Sequence, residues 1–98
     1  MNLANQFPTP HSQVAGRVID GEAVLVLADS GQVQVLNEVG ARVWELADGT
    51  RSVAQIVDAV TAEFDVGADE ATADVLEFVE RLIAERIIVL RDQPESVR

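Results

Sequence analysis

Two turn signals, Asp20-Gly21 and Asp29-Ser30-Gly31, cut residues 14–36 into three short runs rich in Val, Leu and Ile. Asp-Gly between such runs supplies the positive φ angles of a tight hairpin, and a three-residue loop ending in Gly fits a type I turn closed by a G1 bulge. The spacing predicts an antiparallel meander of three strands. Residues 23–28 are apolar on both faces, as a central strand requires, whereas Gln32-Val33-Gln34-Val35 alternates and is expected to be half exposed. The third strand is therefore an edge, with no Pro or Lys to discourage pairing with another chain. On these grounds alone the alternative stands that a helix or the N-terminal residues cover it.

The pattern then changes to helical. Asn37 is placed as an N-cap before residues 38–47, with Val39, Val43 and Leu46 on one stripe and Gly49 just past the end. Trp44 within this helix reads as packing and not as a ligand platform. Ser52-Val53-Ala54-Gln55 is a capping box, and Val53, Ile56, Val57, Val60 and Phe64 follow at helical spacing. A turn at residues 65–68 leads to a third helix over residues 69–86. Its apolar residues Ala71, Val75, Leu76, Phe78, Val79, Leu82 and Ile83 span an arc of about 160°, wider than the stripe of about 100° that burying one face requires. Phe78, Leu82, Ala71 and Val75 form the expected core side. Thr72, Leu76 and Ile83 form the opposite margin, with Glu80 just beyond it. Residues 87–90 read as a short strand. Residues 1–13, with two prolines and no periodicity, read as a flexible or loosely docked arm that is dispensable for folding. This leaves residues 14–91 as one domain and residues 92–98 as a polar tail. The outline is α+β and winged helix-turn-helix-like: a three-stranded antiparallel meander, three helices and a short C-terminal strand.

Composition excludes several kinds of chemistry. The 98 residues contain no Cys and no Tyr, and the one His, His11, lies in the arm and reads as a solvated residue. Neither a thiolate metal site nor a Ser-His-Asp triad can be assembled from this set. The carboxylates Asp69, Glu70, Asp74, Glu77, Glu80 and Glu85 on the third helix spread around a solvated face, with Arg81 close to Glu77. No catalytic residue, metal site or cofactor is expected, and the protein is expected not to be an enzyme. The start of the chain has no basic segment, apolar run or small-residue cleavage site, and no stretch reaches the roughly 18 apolar residues of a membrane span. A cytoplasmic location without a membrane partner is the expectation.

Most winged helix-turn-helix domains bind DNA through their last helix. Here that helix carries six carboxylates against Arg81 and Arg86, within a chain of net charge −10. Phosphate would be repelled where counterion release should favour binding, so nucleic acid is not an expected partner. A degenerate winged-helix regulator and an adaptor for a folded protein are the alternative classes.

The segments Leu36-Asn37-Glu38-Val39-Gly40, Val43-Trp44-Glu45-Leu46 and Asp48-Gly49-Thr50-Arg51-Ser52, followed by Ile56-Val57 and Asp74-Val75, resemble the PqqD-like family over residues 18–90. Members are small stand-alone precursor-peptide recognition elements. The resemblance implies a non-catalytic peptide chaperone. It would bind the leader of a ribosomally made precursor peptide by strand addition and present it to a maturation enzyme, often a radical-SAM protein. It further implies a groove between the third strand and the third helix. On this chain that assigns peptide binding to Val33, Gln34, Val35 and Leu36 along the edge and to Thr72, Leu76, Val79, Glu80 and Ile83 on the helix. Arg86-Ile87 stands where coenzyme-PQQ members tend to carry a Gly-Trp-like pair, which leaves the pathway open among PQQ, lasso-peptide, sactipeptide and related routes.

Overall fold

The computed structural model describes residues 3–94, apart from the side chain of Ala68. After a 3₁₀ turn at Leu3–Asn5 come β1 (Phe7–Pro10), β2 (Val14–Ile19), β3 (Glu22–Leu27) and β4 (Gln32–Leu36). Three helices follow, α1 (Glu38–Leu46), α2 (Val53–Phe64) and α3 (Ala68–Ala84), and then β5 (Ile88–Arg91). The sheet β2-β3-β4 is the expected antiparallel meander, and β1 pairs with β5 in a second, two-stranded sheet. The winged helix-turn-helix-like outline and its closing strand are present.

Each turn has a local cause. Asp20 and Gly21 both take positive φ, as a two-residue hairpin needs, and Gly31, also at positive φ, donates its N–H to the Leu27 carbonyl at 2.7 Å to close the second hairpin. Asn37 caps α1 by accepting from the Gly40 N–H at 2.9 Å, and Ser52 and Gln55 form the reciprocal capping box of α2. The loop between α1 and α2 is Asp48-Gly49-Thr50-Arg51. Burial raises the Asp48 carboxyl pKa, but the Thr50 hydroxyl and N–H and the Arg51 guanidinium outweigh it and hold the group below its ordinary range. Arg42 grips Glu63 through two nitrogens, at 2.8 and 3.2 Å, and so ties α1 to α2.

One core joins the layers. Ala23, Leu25 and Leu27 from the sheet meet Val43 and Leu46 of α1, Val53, Ile56 and Val60 of α2, and Val75, Val79 and Leu82 of α3. Trp44 packs across β2, where a Cβ built on Gly16 would stand 2.7 Å from its Nε1. The packing role expected of Trp44 is what the structure shows.

The N-terminal segment departs from the sequence expectation of an arm over residues 1–13. Phe7–Pro10 forms β1, with Pro8 and Thr9 buried, and the segment is bonded into the helical layer. The Pro8 carbonyl accepts from Gly49 N–H at 2.8 Å and the Gln6 carbonyl from Val53 N–H at 2.9 Å. Proline at alternate positions removes N–H groups on one side of a strand only, which an edge strand tolerates. His11 is half-buried in the turn after β1, its Nδ1 accepting from Gln13 N–H at 3.1 Å, so it is not a solvated tail residue. The expected polar tail over 92–98 falls partly outside the described residues.

Candidate peptide-binding groove

The hydrogen-bond phase of the meander fixes which groups the free edge offers. Ala28 N–H bonds to the Gln13 carbonyl, just beyond the Val14–Leu27 partners, so the even-numbered residues of β3 pair toward β2. Leu27, Leu25 and Ala23 then bond toward Gln32, Gln34 and Leu36 of β4. The N–H and C=O groups of Val33 and Val35 consequently point away from the sheet, and no described strand pairs with them. The N-terminal segment does not cover this edge, because it pairs with β5.

Beside the edge runs α3, antiparallel to β4. Gln34 Nε2 donates to Glu85 Oε1 at 2.9 Å near the C-terminal end of α3, and Phe78, two turns earlier, lies against Gly40 just past the end of β4. Between them opens a hollow of about 480 Å³. Leu36, Val39, Val43 and Val75 supply its apolar wall, Phe78 lies along it, and Asp74 and Arg81 mark its two ends on the helix. Gly40 makes room for the ring: a Cβ there would stand 3.1 Å from Phe78 Cζ. Arg81 lies over Phe78, 5.4 Å from the ring centroid, and meets Glu85 Oε2 through Nε at 3.6 Å instead of the neighbouring Glu77. Glu85 Oε2 is buried without a hydrogen-bond partner.

The residues expected at the groove divide. Val33, Gln34, Val35 and Leu36 do form the edge: Val33 and Val35 are exposed, Gln34 reaches Glu85, and Leu36 and Val35 line the hollow. On α3 the structure turns the other margin toward β4. Thr72 and Leu76 line a separate hollow of about 160 Å³ with Ala4, Val53 and Val57. Val79 is fully buried in the core, Ile83 packs against that core, and Glu80 is exposed. The helical wheel displays both margins equally. Which of them meets β4 depends on how α3 crosses the sheet, and periodicity does not encode that. The signal that was available is Gly40, a helical glycine one turn from the end of β4 that leaves space for an aromatic ring.

Among the described residues no three His, Asp or Glu side chains converge as metal ligands. What the groove presents is backbone hydrogen-bonding groups beside an apolar trough, an arrangement suited to an extended peptide.

A winged-helix-like domain with an open strand beside a trough defines the class. A family model described as "Coenzyme PQQ synthesis protein D (PqqD)" matches residues 22–88, and the chain belongs to that family. The "PqqA binding protein" of Xanthomonas oryzae pv. oryzae (strain PXO99A) is 40% identical over 65 residues, which span 66% of this chain and 71% of that protein. Its counterpart in Xanthomonas campestris pv. campestris (strain 8004) is 37% identical over the same length. Among solved structures, "TbiB1 in Complex with the TbiA(beta) Leader Peptide" superposes with a TM-score of 0.76 at 29% identity, over 82% of this chain and 93% of that one. A "Lasso peptide synthetase B1 complexed with the leader peptide" shares the fold, with a TM-score of 0.73 at 24% identity over 85% of this chain and 98% of that one.

Proposed function

We propose that this protein is a non-catalytic carrier for a precursor peptide: it binds the leader as an added strand on β4 and presents the rest of the peptide to a maturation enzyme. The observation that carries the reading is the open edge at Val33 and Val35 beside the trough of Leu36, Val39, Val75 and Phe78. Two sources of affinity are then separable. Backbone bonds hold any extended chain, and the trough selects side chains. The similarity to a protein solved with a leader peptide supports a leader as the ligand. The maturation enzyme is a radical-SAM protein or another peptide-modifying enzyme. The complex forms in the cytoplasm, where the precursor leaves the ribosome.

The test is to search the neighbouring reading frames for a short precursor peptide and to titrate its leader into the protein by calorimetry. Saturable one-to-one binding to the wild type, with no turnover of the peptide by the protein alone, is the expected result. Absence of binding to that leader, with the protein shown folded by circular dichroism, contradicts the reading.

A further inference from the structure

We propose that the groove reads charge order: it takes an extended segment with a basic side chain at the Asp74 end, an apolar one against Phe78 and an acidic one at the Arg81 end. The inference rests on the leader-binding reading and adds the chemistry by which one leader is preferred over another.

The hollow has two charged residues in its lining, of opposite sign, Asp74 and Arg81. They lie on one face of α3 with Phe78 between them. At about 1.5 Å rise per residue, Asp74 stands about 6 Å from Phe78 along the axis and Arg81 about 4.5 Å beyond it. An extended chain places side chains of one face about 6.8 Å apart. Two such steps span about 13.6 Å against about 10.5 Å on the helix, so successive same-face residues of a bound strand pass Asp74, Phe78 and Arg81 in turn to within about 3 Å, a difference long charged side chains can bridge.

The free-edge phase gives the same register. Residues of the added strand directly opposite Val33 and Val35 bond to them and carry side chains to the outer face, as Val33 and Val35 do. The residues between point inward: one opposite Gln34, at the Arg81 and Glu85 end, and one opposite Leu36, beside Phe78. The next lies beyond β4, where α1 and Asp74 line the hollow. Every described strand pair in this fold is antiparallel. In that direction the segment reads, from its N-terminus, basic-x-apolar-x-acidic.

Both charges are available. Asp74 has no ion pair among the described residues, and Arg81 keeps its side chain 57% exposed while touching Glu85 through Nε. Glu85 keeps its charge although its Oε1 accepts from the Gln34 amide, so an acidic side chain at this end must pair with Arg81 directly and on the side away from Glu85. Arg81 meets Glu85 through Nε at 3.6 Å, too long for a hydrogen bond, and with more than half of its side chain exposed it can turn toward a carboxylate at hydrogen-bond distance. The protein's net charge of −10 attracts the basic residue further and opposes wholly acidic peptides.

The probe is a displayed library of random 12-residue peptides, selected on the full chain at low ionic strength and counter-selected on Val35→Pro to retain edge binders. The expected outcome is enrichment of basic-x-apolar-x-acidic. Arg81→Glu should convert the acidic position to basic, and Asp74→Lys the basic position to acidic. Synthetic peptides with the two charges exchanged should bind wild type about tenfold more weakly, a gap that shrinks as salt is added. Enrichment of apolar peptides without charge preference, or a preference that neither variant alters, overturns the charge-order proposal and leaves the leader reading standing. Failure to recover any peptide sensitive to Val35→Pro overturns both.

Discussion

The side-chain amide of Gln34 on β4 donates to the carboxylate of Glu85 beyond the end of α3 at 2.9 Å, joining residues 51 positions apart in sequence. This bond fixes the helix beside the strand at one end of the groove, while the contact of Phe78 with Gly40 fixes the other. The strand edge between those points remains open. Gln34 thus belongs to the scaffold through both its side chain and its backbone, and Val33 and Val35 carry the groups available to a ligand.

That division separates two proline substitutions. Val35→Pro removes an N–H that faces the free edge, where proline is tolerated. It should leave the thermal midpoint nearly unchanged and weaken leader binding about tenfold or more, since a bond is lost and the ring obstructs its place. Gln34→Pro removes a bond of β4 to β3 and should lower stability instead. Calorimetry and thermal unfolding of the two variants give opposite patterns if the strand phase is right and the same pattern if it is wrong.

Phe78 is half-buried along the trough, whereas Leu76, two positions away, faces α2. Phe78→Ala should cost about 2 kcal/mol of leader affinity, the scale of an interface hot spot. Leu76→Ala should destabilise the fold modestly and leave affinity within about twofold. Equal loss of affinity in both variants would place the peptide across the other face of α3.

Gly16 lies under the indole of Trp44, with Leu25 Cδ2 only 2.8 Å from where a Cβ would stand. Leu25 is fully buried and cannot yield. Gly16→Ala should therefore destabilise by about 1–3 kcal/mol, as overpacking does, and alter the Trp44 emission of the native state. Denaturant unfolding followed by tryptophan fluorescence reads both.

Removal of residues 1–10 takes away β1, the buried Pro8 and Thr9, and the acceptors for Gly49 and Val53 N–H, and it uncovers Ile88. The truncated chain should lose about 3 kcal/mol or more. Unchanged stability in urea unfolding would return the segment to the status of an arm.

The meander, the three helices and the open edge were legible because each rests on local chemistry: positive-φ turn residues, side-chain caps and the period of the apolar positions. The Asn37 cap and the Ser52-Gln55 box stand where the residues foretell them. β1 was not legible, because Phe-Pro-Thr-Pro has no periodicity and its pairing with β5 closes a loop nearly as long as the chain. The groove was half legible. Its strand was marked by alternation, but its helix face depended on the crossing that Gln34–Glu85 and Gly40–Phe78 impose, a long-range outcome. His11 misled for a related reason, since its half-buried turn exists only once β1 is docked.

Residue-resolved hydrogen exchange at β4, with and without the leader, tests the proposed binding mode most directly. In the free protein the amides of Val33 and Val35 should exchange fast, while Gln34, bonded to β3, exchanges slowly. Saturating leader should slow Val33 and Val35 by about a hundredfold or more, as newly paired strand amides require, with little change at Gln34. Binding that leaves Val33 and Val35 exchanging as in the free protein would contradict strand addition at this edge.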